Sequence, residues 1–175
     1  MIEYITETLR YLAKDDHEPE LRGAVLNVLQ KMFQHDQDGF WQTPSHYGTI
    51  MPPLLTLLTL PSASTSTPAS NTNNVIPTIT DLAAAASSID NHREMNTILL
   101  RYMRSDAAHT RLATVLCQQS LTRRLGEEWL GLLPEMLPFI SELREDDDEM
   151  VERETQRWIG GVEEVLGESL EGMLQ

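Results

Sequence analysis

LGLLPEMLPFISELREDDDEMVERETQRWIGGVEEVLG, residues 130–167, holds two helical patterns separated by an acidic turn. In the first, Leu133, Leu137, Ile140 and Leu143 recur at helical spacing, and Met136 and Phe139 widen the apolar face. Pro134 and Pro138 lie inside that pattern. A proline removes a backbone N–H and crowds the preceding turn, so this helix is expected to kink or to restart at Pro134. Glu145-Asp146-Asp147-Asp148-Glu149 forms the turn, and its charge suits the positive end of the helix dipole that follows. The second helix carries Val151, Thr155, Trp158, Ile159, Val162, Val165 and Leu166 on one side. Gly167 falls where a left-handed C-terminal residue is favoured. Two such helices cannot bury their apolar faces alone, so the rest of the chain must supply neighbours.

Further upstream, Ile2, Ile5, Leu9 and Leu12 form a stripe that ends at Lys14-Asp15-Asp16. Pro19 opens a second helix, where a missing N–H costs nothing, with Leu21, Val25, Val28, Leu29 and Met32 as its expected buried face. Gln34 to Ser45 is a polar connection in which Phe40 and Trp41 are expected to pack against the helix pair. Tyr47, Ile50, Met51, Leu54, Leu55, Leu57 and Leu58 make a third helix, bent or begun by Pro52-Pro53. Residues 61–73, PSASTSTPASNTN, are low-complexity Ser/Thr/Pro/Asn that cannot offset ordering entropy by burial, and are expected to form a disordered, mobile insertion. Helical spacing resumes with Val75, Ile76, Ile79, Leu82 and the run Ala83 to Ala86. It continues through Met95, Ile98, Leu99, Tyr102 and Met103, and then Leu112, Val115, Leu116, Gln119 and Leu125. Cys117 lies on that last pattern and is expected to be a buried small hydrophobe.

About eight helices follow from these patterns, with almost no strand signal, and three of their turns share one arrangement. An acidic residue is followed by a short gap, an apolar residue and a charged residue that begins the second helix: Asp16 with Arg22, Asp106 with Arg111, and Asp146 with Glu152. Arg111 and Glu152 are 41 residues apart, and Arg22 and Arg111 are 89 apart, two such steps plus part of the insertion. Helix pairs at a period of ~40–47 residues are the signature of HEAT or armadillo repeats. The fold expected is all-α, an α-solenoid of about four HEAT-type hairpins forming a single domain. The hairpins are residues 1–35, 36–90 with the insertion, 91–125, and 126–175 as the terminal cap. In such units a turn aspartate and the following arginine can form a ladder between neighbours, and Glu152 replaces the arginine where a cap has no successor.

The net charge of −14 is unevenly distributed. Residues 1–90 carry −6, residues 91–125 carry +4 and residues 126–175 carry −12. An acidic chain is repelled by phosphate backbones, which argues against non-specific nucleic-acid binding. The candidate interaction surface is therefore Arg101, Arg104, Arg111, Arg123 and Arg124 together with Asp146, Asp147, Asp148 and Glu149. The arginines either touch RNA weakly or complement acidic side chains of the next repeat, and the second reading is preferred.

Nothing in the sequence offers an active site, a cofactor or a small-molecule substrate. Counted from Asp146 as an EF-hand, the sixth and twelfth positions are Val151 and Arg157 where glycine and glutamate are needed. His17, His35, His46, His92 and His109 lack zinc-ligand spacing. No phosphate-binding glycine loop and no nucleophile elbow occurs. A single cysteine allows no internal disulfide, which fits a reducing compartment. No apolar run approaches a membrane span, and the acidic amphipathic N-terminus is not a signal peptide. The helical pattern begins at Met1 with no leader, so Met1 is expected to mark a truncation. Residues 1–35 would then expose a face open to self-association.

Several phrases also carry a resemblance. LLPEMLPFISELREDDDEMVE, TQRWIGGVEEVLGESLEGML and, upstream, MNTILLRYMRSDAAHTRLATVL are similar to the carboxyl end of the large HEAT-repeat scaffold of the small-subunit processome. This is the Utp-ten family, called HEAT-repeat-containing protein one in metazoa. GTIMPPLLTLL and NVIPTITDLAAAA resemble the family's preceding helices more loosely, so the likeness covers residues 45–175 and fades toward Met1. The insertion at 61–73 and Thr110 before Arg111 depart from the pattern. The resemblance implies a non-enzymatic nucleolar protein-binding scaffold that supports U3 ribonucleoprotein assembly, pre-rRNA processing, small-subunit assembly and rDNA transcription. Its implied partners are other processome proteins, with pre-rRNA and the U3 ribonucleoprotein reached indirectly. A HEAT-type adaptor of another nuclear or cytosolic assembly, and direct pre-rRNA binding through residues 101–124, are the alternatives.

Overall fold

A computed structural model describes residues 1–14, 19–64 and 74–174. Its helices are α1 (Ile2–Leu12), α2 (Pro19–Gln34), α3 (Pro44–Thr56), α4 (Val75–Ala85), α5 (Ile89–Tyr102), α6 (Ala108–Leu125), α7 (Glu127–Leu130), α8 (Leu133–Leu143) and α9 (Glu149–Leu166). Two 3-10 turns, Leu57–Thr59 and Pro61–Ser64, follow α3, and no strand occurs among the described residues.

The helices sort into two layers. In one, α1 packs on α3 and α3 on α5; in the other, α2 packs on α4, α4 on α6 and α6 on α9. Each helix thus meets its counterpart in the next helix pair, which is the connectivity of a solenoid-like all-α stack. The core runs between the layers through Leu9, Leu26, Tyr47, Leu54, Ile79, Leu99, Val115, Trp129, Met136 and Trp158, all fully buried.

Local chemistry explains the ends of the last pair. Pro134 sits in the first turn of α8, where its missing N–H is harmless, and Pro138 lies within the helix. Asp148 caps α9, its Oδ1 accepting from the amides of Met150 (3.0 Å) and Val151 (3.1 Å). Gly167 closes α9 in the left-handed region at φ 73°, and its amide donates to the Glu163 carbonyl. Ahead of this pair stands a one-turn helix, α7, that the periodicity does not predict. It is set off by Gly126 at φ 57°, ψ −128°, and it turns Trp129 into the core.

Two expectations are corrected. The buried face of α2 is Arg22, Leu26, Leu29 and Phe33, whereas Leu21 and Val28 are exposed and Val25 and Met32 half-buried. The helix is turned so that Arg22 reaches Ser62, its Nη2 donating to Oγ at 2.9 Å, and Phe33 meets Trp41 edge-on at 5.0 Å. An alternation that assigns arginine to solvent misses this. The insertion was also expected to be loose from residue 61. Pro61–Ser64 instead forms a turn packed on α6, with Ala63 buried, and residues 65–73 lie outside the described residues. Trp41 is buried as expected, while Phe40 stacks on His46 at the surface.

Candidate interaction surface

The polar side chains that join one helix pair to the next are its principal chemistry. Between α2 and α4, Gln30 donates to Thr78 Oγ1 and Gln34 to Asp81. Between α4 and α6, the hydroxyls of Thr80 and Ser120 are 2.8 Å apart. Between α6 and α9, Gln119 donates both to the Glu154 carbonyl and to its carboxylate, and Trp158 Nε1 donates to Thr122 Oγ1. In the other layer Tyr47 donates to the Asn91 carbonyl, Arg93 to Glu135 and Arg104 to Glu142. The sequence separations in these bonds run from 35 to 48 residues, one helix pair each.

Arg111 is the strongest rung. Its Nε and Nη2 donate to the two carboxylate oxygens of Asp146, each at 2.9 Å, while Nη1 donates to the carbonyl of Ser105. The pair is nearly out of water, with 17% of the arginine side chain and 8% of the aspartate exposed. Burial works against the Asp146 carboxylate, but hydrogen bonds from Arg111 and from the Asp148 amide, with the arginine's charge, outweigh it. Its carboxyl is held below the usual carboxylate range. The expected ladder thus exists at this boundary. At the first boundary Arg22 makes the corresponding step to Ser62, 40 residues on. Asp16, expected to share the first turn with Arg22, lies outside the described residues.

The nine candidate surface residues do not converge on one place. Arg104 and Arg111 face the α8–α9 pair, where Arg104 also covers the Phe139 ring at 4.0 Å and its bond holds the Glu142 carboxyl below the usual range. Arg123 and Arg124 lie about 18 Å away at the other end of α6, at 1.5 Å per residue. Arg124 is 3.9 Å from Asp81 of the preceding pair. Arg101 and Arg123 are exposed and, among the described residues, form no ion pair. In the acidic turn, Asp147 and Glu149 are exposed, Asp148 is the helix cap, and Asp146 is taken up by Arg111. The acidic run is therefore divided, because its second member, Asp146, completes a largely buried ion pair with Arg111.

Buried polar groups missed by the periodicity lie between α5, α6 and α7. Gln118 donates to Asn96 Oδ1 and accepts from Trp129 Nε1 at 2.9 Å. The only signal for them in the sequence is a glutamine on the apolar face of α6, next to Cys117, whose thiol burial pushes upward in pKa. No three His, Cys, Asp or Glu side chains among the described residues are grouped to hold a metal ion. No described helix is long and apolar enough to cross a membrane.

This arrangement defines a solenoid-like helical stack whose successive pairs are held in register by polar rungs. No family model matches the chain. It is 73% identical over 168 residues to U3 small nucleolar RNA-associated protein 10 of Phaeosphaeria nodorum, covering 95% of this chain and 10% of that protein. The proteins of the same name from Neurospora crassa and Coccidioides immitis are 52% and 49% identical, over 94% and 99% of this chain and 9% and 10% of theirs. The chain belongs to this family and matches a C-terminal region of it. It spans about a tenth of the length of the curated relatives it matches.

Proposed function

We propose that this chain is a non-enzymatic, HEAT-type scaffold segment of a U3 small nucleolar ribonucleoprotein-associated assembly, acting in pre-rRNA processing and small-subunit assembly in the nucleolus. The observation that carries the reading is the 73% and 52% identity, across nearly all of this chain, to a C-terminal region of relatives named for their association with U3 small nucleolar RNA. The geometry supports it physically. Residues 1–35, 36–90, 91–125 and 126–175 act as four stacked units, the last as the cap, and each contributes exposed helix surface. Weak contacts made at several such surfaces sum through effective concentration. Of the basic segment 101–124, Arg104, Arg111 and Arg124 already face carboxylates, which favours protein partners over direct contact with RNA.

Carboxyl-directed cross-linking of particles purified through the full-length protein tests this, since the chain offers 27 acidic side chains. Cross-links from this segment to other proteins of the U3 particle are expected. A segment that cross-links only within its own polypeptide would overturn the reading.

A further inference from the structure

A groove of about 630 Å³ opens between α6 and α9, with the rung residues Gln119, Thr122 and Trp158 in its wall. Gln119, Thr122 and Arg123 line one wall; Arg157, Gly161 and Val165 line the other, with Trp158 and Glu164 beside them. A second cavity of about 320 Å³, between α4 and α6, is bounded by Asp81, Arg124 and the same Arg123. The two meet at Arg123.

We infer that this groove docks a short acidic peptide segment of a partner protein, one that presents a carboxylate beside an apolar side chain. The inference rests on the scaffold reading for the existence of a partner. Charge carries the first half. Arg157 is engaged by Glu154 and Arg124 faces Asp81, whereas Arg123 is exposed and without an ion pair among the described residues. In a chain of net charge −14, an arginine left unpaired at the meeting point of two cavities takes its counter-charge from outside. Shape carries the second half. A Cβ placed on Gly161 would meet nothing within 4 Å, so a side chain laid there can approach the α9 backbone and rest against Val165. The polymer is a peptide because a nucleic acid would carry its phosphates past Glu164 and along a segment of charge −12, while a short peptide brings only the charge that Arg123 needs.

The test is titration of the isotope-labelled chain, followed by NMR, with three probes at equal concentration. They are acetyl-Ser-Glu-Leu-Phe-Ser-amide, its counterpart with lysine in place of the glutamate, and a short oligouridylate. The acidic peptide should shift the Gly161 amide and the Arg123 guanidinium resonances. Its binding should weaken about tenfold or more in Arg123→Glu, which removes the charge, and in Gly161→Leu, which fills the floor. Gly161→Leu should not lower the melting temperature, because leucine is the better helix former and meets open space. No shift at the groove with the acidic peptide, equal shifts with the lysine peptide, shifts with the oligouridylate, or binding that survives both substitutions would each overturn the proposal. The readout is peptide binding, so its failure is distinguishable from loss of cross-links within the U3 particle.

Discussion

The guanidinium of Arg111 on α6 and the carboxylate of Asp146 before α9 meet through two parallel hydrogen bonds of 2.9 Å across the boundary between two helix pairs. Planar guanidinium and carboxylate match each other in this geometry, and lysine would not reproduce it. Removing one partner leaves the other charge largely out of water. Asp146→Ala should therefore lower unfolding stability by about 2–4 kcal/mol, and Arg111→Lys should recover only part of the pair. Urea titration of the single and double mutants measures the coupling, expected at about 1–3 kcal/mol. The exposed pair Arg104–Glu142 makes the same crossing, and Glu142→Gln should move the unfolding midpoint less.

The same pair sets an acid limb. The folded Asp146 carboxyl lies below its unfolded value, so its contribution is complete above the unfolded carboxylate pKa, about 3.9, and disappears as pH falls through the folded value. Stability measured from neutral pH downward should fall more gently below about pH 4 in Asp146→Asn than in the parent chain. Parallel curves would show that the aspartate does not titrate with folding.

Trp158 tests the packing of α9. It is fully buried and its indole N–H donates to Thr122 Oγ1 at 3.0 Å. Trp158→Ala should cost about 3–5 kcal/mol through the cavity it opens. Trp158→Phe keeps most of the ring volume and should cost less. An unchanged melting temperature for the alanine variant would place this side chain in solvent.

Two glycines should respond in opposite directions. Gly126 holds φ 57°, ψ −128°, a region closed to other residues, and lets α7 turn back from α6. Gly126→Ala should destabilise by about 1–3 kcal/mol. Gly160 is exposed inside α9 with open space at its Cβ, and Gly160→Ala should stabilise by up to about 1 kcal/mol. Thermal unfolding of both variants decides the point.

Cys117 provides a probe of local opening. It is fully buried and burial pushes its thiol upward in pKa, so the reactive thiolate is scarce. Disulfide-exchange reagents should label the native chain far more slowly than the urea-unfolded chain. Fast native labelling would mean that α6, which packs on α4, α5, α7 and α9, opens readily.

Much of this architecture was legible in spacing alone. The pair at 130–167, its acidic cap and the left-handed Gly167 follow from apolar period and helix-end chemistry, and the 41-residue step places Arg111 where it reaches the next turn. What escaped the sequence is what periodicity does not encode. Arg22 occupies a core position because Ser62 accepts its hydrogen bond, and Pro61–Ser64 is ordered because α6 covers it. α7 is too short to show a period. The candidate surface was the least legible part: among arginines close in sequence, Arg104 and Arg111 are spent on Glu142 and Asp146, Arg124 faces Asp81, and Arg123 opens onto the α6–α9 groove. Which arginine already has a partner depends on residues 35 to 43 positions away, outside any local pattern.

The scaffold reading is tested most directly by recovery of U3 small nucleolar RNA with the full-length protein, compared between the intact protein and one lacking this segment. The account predicts that removing the segment lowers recovery of the RNA and of the proteins that accompany it. Equal recovery from the two, at equal levels of soluble protein, would contradict it.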